Sequence, residues 1–190
     1  MTHQHGYRRV PDVDRRKWQD PEAILADMGL KPGIVFMDIG CGEGFFAIPA
    51  ARLVGESGRV YALDSRSEAI AKVEYKAARE GLRNLEAAVG KAEETVLCRS
   101  CADIVFFGIV LHDFADPGRV LANAREMLKP GGRLVNLDWK KEHMGWGPPF
   151  HIRFTQEEAV QLIKTAGFAV GTIKEAGQYH YLIIAKPLKT

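Results

Sequence analysis

The feature that most constrains the fold of this chain is a run of apolar residues leading directly into three closely spaced glycines. The run, IVFMDI from Ile34, is apolar at nearly every position, which is typical of a parallel strand covered on both faces. Gly40, Gly42 and Gly44 follow it, and FFAIPAARLV after them has the length and spacing of a helix, with an early irregularity or kink expected at Pro49. A strand, a glycine turn and a helix in this order predict the first unit of an α/β sheet.

The rest of the chain continues the alternation and ends in a hairpin. Further strands are predicted for RVYALD, LEAAV, DIVFFGIV and RLVNLDW, the last of which begins at Arg133 after a turn. Two final strands, FAVGTIKEA and YHYLIIAKP, are separated by Gly177-Gln178. We therefore predict a doubly wound, Rossmann-like α/β fold with a mostly parallel seven-stranded sheet and an antiparallel C-terminal hairpin strand at one edge.

Capping patterns predict where several helices begin. Asp20 precedes Pro21, an arrangement typical of an N-cap followed by the first helical residue. Capping-box patterns open two later helices, Ser65 with Glu68 and Thr155 with Glu158. A further helix is predicted from about Pro117 to Leu128, whereas no long helix is expected between LEAAV and DIVFFGIV.

Length and composition limit the classes of function. The 190 residues predict a single domain over 1–190, with residues 1–30 forming an N-terminal cap segment and helix. With 26 basic against 24 acidic side chains, the net charge of +2 gives no reason to expect nucleic acid as a partner. The longest apolar run, Ile104 to Leu111, is too short to span a membrane, and the polar N-terminus predicts a cytoplasmic protein. Nothing in the sequence indicates an oligomeric state.

The glycine turn lies where an open α/β sheet binds its ligand, beyond the carboxyl ends of the strands. Glycines allow positive φ and let the backbone approach a ligand closely, although a tight turn without a ligand has the same composition. Asp64 ends the second strand, where a carboxylate accepts hydrogen bonds from ribose hydroxyls. A dinucleotide fingerprint would place its third glycine at position 45, which is Phe45 here, and this disfavours a nicotinamide oxidoreductase.

The spacing D-x-G-x-G-x-G, from Asp38 to Gly44, resembles the first motif of class I S-adenosylmethionine (SAM) methyltransferases. The resemblance covers nearly the whole chain and is greatest to the type-11 branch, which includes ubiquinone and menaquinone biosynthesis methyltransferases. It rests also on W-x-D-P-E-x-I-L, L-K-P-G, VYALD, the segment from Asp103 to Asp113 and LKPGGRLV from Leu128.

This resemblance implies SAM as cofactor and assigns several binding residues. Asp38 is expected to orient the amino group of SAM, the glycine loop to pass under its methionyl part, and Asp64 to hold the ribose. Further cofactor contacts are expected from Cys41, Ser65, Lys91, Ala92 and Gly108. The family often has an acid where this chain has Lys91, and a lysine accepts no hydrogen bond from adenine. Adenine would then depend on the Ala92 backbone and apolar packing, or on Glu93.

Methyl transfer from SAM is an in-line displacement, so the protein chiefly positions donor and acceptor, with a base where the acceptor must lose a proton. His112, beside Asp113 after the fourth strand, is the candidate base; a role in packing or in capping the turn is the alternative. Asp138 and His151 are secondary candidates.

The segment HMGWGPPFHIRF, from His143 to Phe154, is too long for a simple connection and is expected to cover a small-molecule methyl acceptor. Arg153 within it either binds an acceptor carboxylate or braces the loop. Tyr7-Arg8-Arg9 in the N-terminal segment either closes over SAM or forms a frayed tail.

Three cysteines form no disulfide framework in a chain of this size, which favours a reducing compartment. Cys98 and Cys101 form a C-x-x-C motif, but four-ligand zinc sites need a second pair and no metal site is predicted. The leading hypothesis is a SAM-dependent methyltransferase acting on a small molecule. The alternatives are a SAM-binding protein without catalysis, and transfer to RNA, protein or, through Cys98 and Cys101, arsenite.

Overall fold

A computed structural model describes residues 12–188 of the protein. Its strands are β1 (Val35–Ile39), β2 (Arg59–Asp64), β3 (Leu85–Val89), β4 (Ala102–Gly108), β5 (Leu128–Trp139), β6 (Phe168–Ala176) and β7 (His180–Pro187). Its helices are α1 (Asp12–Arg15), α2 (Pro21–Asp27), α3 (Ala47–Val54), α4 (Ser67–Arg79), α5 (Pro117–Met127) and α6 (Gln156–Thr165). Short 3-10 helices cover Leu111–Asp113 and Phe150–Ile152.

The seven strands form one sheet in the order β3-β2-β1-β4-β5-β7-β6. The strands β3, β2, β1, β4 and β5 are parallel to one another, and β7 is antiparallel to both β5 and β6. The predicted α/β fold is therefore confirmed, but the antiparallel strand lies inside the sheet and not at its edge. The burial of the two strands explains this order, because most of β7 is buried while β6 has many exposed residues.

Helices cover both faces of the sheet. On one face α2, α3 and α4 pack over a cluster that includes Phe36 and Phe106, whose ring centroids lie 5.7 Å apart. On the other face α5 and α6 pack over a cluster that includes Val105 and Phe107. Chain order reverses beside β1, which pairs with β2 on one side and β4 on the other, so a crevice opens at their carboxyl ends. Between residues 12 and 188, no helix is long and apolar enough to cross a membrane.

Two of the three predicted caps form. The Asp20 side chain accepts from Ala23 N at the start of α2, and Thr155 forms a reciprocal capping box with Glu158 at α6. The capping box predicted for Ser65 and Glu68 is wrong. Arg66 is the N-cap residue of α4 and its side chain makes no capping hydrogen bond.

The start of one helix and the start of one strand also differ from expectation. α3 begins at Ala47, so Pro49 lies in its first turn, where an amide has no partner within the helix anyway. β5 begins at Leu128 and not at Arg133, because Leu128 already pairs with Ala102 of β4. The predicted turn is an irregularity within the strand, before Arg133 pairs with Ile104, and it contains Gly131, whose φ is +83°.

Candidate active site

The glycine loop joins β1 to α3 and requires glycine for two reasons. Gly40, Gly42 and Gly44 all have positive φ, at 74°, 57° and 86°. A Cβ on Gly40 would also lie only 2.6 Å from a methyl carbon of Val110. The loop is fixed to the end of β2, because the amides of Gly40 and Cys41 both donate to Leu63 O, at 2.7 and 2.9 Å. The loop backbone is therefore fixed at the carboxyl edge of the sheet, with its glycines in the left-handed region and packed closely against Val110.

Asp38 lies near the end of β1 and is 1% exposed. Its Oδ2 atom is buried and finds no hydrogen-bond partner between residues 12 and 188. Burial raises the pKa of Asp38 to about 7, while the charge of Arg15 opposes the rise and that of Asp64 adds to it. A buried carboxylate with an unused oxygen fits a cationic ligand group, since a nearby positive charge stabilises its ionised form.

Asp64 ends β2 and is held by the glycine loop and by the start of α4. Its Oδ2 accepts from Gly42 N at 2.8 Å, and its Oδ1 accepts from Arg66 N at 3.1 Å. The guanidinium of Arg66 also faces it, with Nε 3.1 Å from Oδ1 and Nη2 3.5 Å from Oδ2. Asp38 of β1 and Asp64 of β2 thus lie on adjacent strands, on either side of the glycine loop.

His112 lies in the short 3-10 helix after β4 and its side chain is completely buried. Its Nδ1 is 2.6 Å from Asp138 Oδ1, at the end of β5, and its Nε2 is 3.7 Å from Asp113 Oδ1. Asp138 Oδ1 also accepts from Trp139 N, at 2.8 Å. Burial lowers the pKa of His112, but Asp138 and Asp113 outweigh it and the pKa is raised overall. Asp138, a secondary candidate base in the sequence, is thus the hydrogen-bond partner of the primary one.

The predicted adenine side of the site is held together by Asn123 of α5. Its amide donates to the carbonyls of Ala92 and Glu93, at 2.8 and 2.9 Å. Glu93 Oε1 accepts from Ala115 N at 3.1 Å, so one of its two oxygens is already used. Lys91 pairs with Glu94 on the surface, and its contact with a cofactor stays a prediction.

The remaining predicted cofactor residues lie at the same edge of the sheet. Cys41 is buried in the loop with its Sγ 3.5 Å from Gly42 O, Ser65 is exposed after β2, and Gly108 ends β4. A Cβ on Gly108 would lie 2.9 Å from the ring of Phe46, so the close packing at this strand end also requires glycine. The structure therefore brings the predicted cofactor residues together, and their individual contacts with a ligand stay predictions.

The expected acceptor segment follows β5 at the same edge, and Arg153 organises it. Arg153 is 3% exposed, and its guanidinium donates to the carbonyls of Pro148, Glu142 and Trp146 at 2.7, 3.0 and 3.0 Å. Of the two roles left open by the sequence, these contacts support bracing of the loop. A cavity of about 200 Å³ lies within the segment, lined by Arg153 and residues 142–150. His151, the other secondary candidate, is exposed.

An aromatic cluster that the sequence did not predict packs against the Arg153-braced segment. Trp18 stacks on His180 with ring centroids 5.5 Å apart, and Trp146 lies 4.8 Å from Trp18 and 5.0 Å from Trp139. Burial and nearby cations lower the pKa of His180 to about 3, so its ring is neutral. The order of the strands could have revealed the pair formed by Trp139 and His180, since these residues are opposite each other in β5 and β7. Tyr7-Arg8-Arg9 lies outside the described residues.

Cys98 and Cys101 lie side by side, with Cα atoms 6.1 Å apart. They precede β4 and therefore lie at its amino end, whereas the glycine loop follows the carboxyl end of the adjacent parallel β1. Seven residues of β4 separate the two edges by roughly 20 Å. The pair is therefore not part of the glycine-loop site, which argues against an arsenite acceptor held there by these sulfurs. No cluster of three or more metal-ligating side chains occurs in residues 12–188.

Comparison with known proteins places the chain in a family. A family model described as a methyltransferase domain matches residues 30–180. The chain belongs to this methyltransferase family. A crystal structure of a SAM-dependent methyltransferase from Aquifex aeolicus superposes with a TM-score of 0.85 at 29% identity, covering 93% of this chain and 98% of that one. The resemblance to class I methyltransferases of the type-11 branch is confirmed.

Curated relatives of this methyltransferase act on different acceptors, to judge by their names. Demethylmenaquinone methyltransferase of Bacillus velezensis is 30% identical over 129 residues, which are 68% of this chain and 54% of that protein. Arsenite methyltransferase of Halobacterium salinarum is 29% identical over 119 residues, 63% of this chain and 30% of that protein. The chain spans about half the length, or less, of these relatives.

Proposed function

We propose that this methyltransferase transfers a methyl group from SAM to a small-molecule acceptor. The observation that carries the proposal is the pair of buried acids, Asp38 and Asp64, on either side of a glycine loop at the crevice beside β1. Family membership supports the reaction class, and the absence of glycine at Phe45 argues against a dinucleotide cofactor.

The residues of the crevice fit SAM in charge and in hydrogen bonding. Asp38 Oδ2 would accept from the ammonium of the methionyl part, whose positive charge favours the ionised form of this carboxyl. Asp64 would accept from the ribose hydroxyls, and the backbone of Gly40 to Gly44 would face the chain between them. When bound, SAM supplies a methyl group on a positively charged sulfur, which is a good leaving group.

His112 is proposed as the base that takes a proton from the acceptor, and Asp138 as its positioning residue. Nδ1 donates to Asp138 Oδ1, which leaves Nε2 as the atom that accepts a proton. Asp113 lies 3.7 Å from Nε2 and stabilises the ring once it is charged. This arrangement suits an acceptor with a dissociable proton.

The acceptor is proposed to lie against the aromatic cluster of Trp18, Trp139, Trp146 and His180. These side chains come from the segment before α2, the end of β5, the Arg153-braced segment and the start of β7, and they meet at the carboxyl edge. A largely aromatic wall with a neutral His180 favours an acceptor with a flat or apolar part over an ion.

The experiment is to incubate the purified protein with methyl-labelled SAM and a fractionated pool of small metabolites, and to follow label into products. Transfer that depends on the protein, and that falls at least about 100-fold in His112→Asn, supports the reaction and the base. The Asp38→Asn variant serves as the control for lost cofactor binding. Label that enters no fraction, in repeated screens with pools of different polarity, contradicts the catalytic role.

A SAM-binding protein without catalysis is the second candidate. It is favoured by the complete burial of His112 between two carboxylates, which is also what a purely structural histidine would show. The same screen separates the two candidates, since tight binding of SAM without transfer of label to any acceptor supports this second one.

A further inference from the structure

We propose that Arg66 is an internal competitor for the cofactor ribose, holding the two acceptor positions of Asp64 that the ribose hydroxyls need. The inference rests on the proposed function, because it assumes a ribose ligand at Asp64. It assigns to Arg66 a role that neither the glycine motif nor the family resemblance gives it: setting the affinity of the site.

The hydrogen bonds of Asp64 leave few positions open. An ionised carboxylate offers about four acceptor positions. Two are used by backbone amides, from Gly42 at 2.8 Å and from Arg66 at 3.1 Å. Both amides belong to ordered backbone, one in the glycine loop and one at the start of α4, so a ligand cannot displace them without moving the fold. About two positions are left for side chains or ligand.

The guanidinium of Arg66 faces both oxygens of that carboxylate. Its Nε lies 3.1 Å from Oδ1 and its Nη2 lies 3.5 Å from Oδ2. Two donors in a planar fork address a carboxylate as two adjacent hydroxyls of a ribose would, one donor to each oxygen. The guanidinium and the ribose diol are therefore alternative partners of Asp64.

The difference in exposure indicates which partner moves. The side chain of Arg66 is 32% exposed, whereas that of Asp64 is 9% exposed and is fixed by two amides. Arg66 can turn into solvent when a ribose arrives, and Asp64 stays in place. The displaced ion pair is partly exposed and therefore modest in strength, so it tunes the affinity without blocking the site.

The position of Arg66 at the N-cap of α4 supports a role other than helix stability. Its side chain makes no capping hydrogen bond. A positive charge at a helix N-terminus is unfavourable, and serine, threonine, asparagine or aspartate caps a helix better. The helix therefore gains nothing from an arginine here, and the side chain instead contacts the acid expected to bind the cofactor.

The test is calorimetric titration of the intact protein and its variants with S-adenosylhomocysteine. Arg66→Gln removes the charge and the fork, and we expect it to bind about two- to fivefold more tightly than the wild type, as loss of a partly exposed ion pair predicts. Arg66→Lys keeps the charge without the fork, and its affinity is expected to lie between those of the wild type and Arg66→Gln. Arg83→Gln, at an exposed arginine, is the matched control and leaves the affinity unchanged.

Adenosine and 2′,3′-dideoxyadenosine show whether the gain depends on the ribose hydroxyls. Arg66→Gln should bind adenosine more tightly than the wild type does, by the same factor. It should bind the dideoxy compound no more tightly than the wild type does. Equal or weaker binding of S-adenosylhomocysteine by Arg66→Gln, or an equal gain for the dideoxy compound, overturns the role of Arg66 and leaves the proposed function standing. Failure of the wild type and all variants to bind S-adenosylhomocysteine overturns both.

Discussion

His112 Nδ1 and Asp138 Oδ1 lie 2.6 Å apart and join the 3-10 helix after β4 to the end of β5 inside the protein. The contact spans 26 residues of sequence and is completely buried on both sides. It orients the imidazole and fixes the proton on Nδ1, which is the arrangement that a histidine base requires.

Replacing Asp138 with asparagine should lower the pKa of His112, because Asp138 is the larger of the two carboxylate influences that raise it. An NMR titration of the His112 ring protons measures this drop. Asp113→Asn is the matched control and should lower the pKa less, since Asp113 lies farther away. A larger effect of Asp113, or no effect of either variant, contradicts the proposed pair.

Cofactor binding should depend on pH through Asp38. The pKa of this carboxyl is about 7 before a ligand binds, so it is mostly neutral at lower pH and gains its charge as the pH rises. An ammonium group binds the charged form, and affinity should therefore rise with pH and level off above about pH 7.5. We expect binding of S-adenosylhomocysteine at about pH 6 to be roughly tenfold weaker than the plateau.

Two variants sharpen this test. Asp38→Asn cannot ionise and should bind weakly at every pH, with no rise between pH 6 and 8. Asp64→Asn should weaken binding while keeping the rise, since the pH dependence belongs to Asp38. A wild-type affinity that is flat across this range would show that Asp38 does not carry the cofactor ammonium.

The fold, and the meeting of Asp38, Asp64 and the glycine loop at one edge of the sheet, could be predicted largely from local sequence. The glycine loop, Asp38 and Asp64 follow strands whose apolar runs mark their ends, and parallel strands bring those ends to one edge. Pairings between distant residues had no local signal. β7 lies between β5 and β6, and this position places His180 beside Trp139 and under the ring of Trp18.

The wrong capping prediction for α4 has a similar cause. Ser65 with Glu68 matches the capping-box pattern, but the Arg66 amide donates to Asp64, and the helix begins one residue later than the pattern requires. The role of Arg153 was left open for the same reason. Its carbonyl partners lie 5 to 11 residues before it, and only the folded segment shows that they converge on its guanidinium.

Arg153→Lys should loosen the acceptor segment without affecting the cofactor site. A single ammonium cannot reach the carbonyls of Pro148, Glu142 and Trp146 together, and buried carbonyls would be left without partners. We expect a loss of about 2 kcal/mol in the free energy of unfolding and faster amide hydrogen exchange across residues 142–152. Arg119→Lys, on the exposed surface of α5, is the control and should change neither quantity. Unchanged exchange in Arg153→Lys contradicts the bracing role.

The close approach of Gly40 to Val110 can be tested against a glycine of similar conformation. Gly40 and Gly81 have φ of 74° and 67°, but a Cβ on Gly81 meets nothing within 4 Å. Gly81→Ala should therefore cost only backbone strain, about 1 kcal/mol, whereas Gly40→Ala adds a steric clash and should cost about 3 kcal/mol. Chemical denaturation measures both losses, and equal values would mean that Val110 moves aside freely.

Calorimetric titration of the wild-type protein with SAM, S-adenosylhomocysteine and NAD tests the central claim most directly. We predict that SAM and S-adenosylhomocysteine bind at one site per chain, that Asp38→Asn and Asp64→Asn each weaken them at least about tenfold, and that NAD gives no binding. Binding of NAD in preference to both SAM compounds, or unchanged affinity in both variants, would contradict the assignment of the glycine loop as a SAM site.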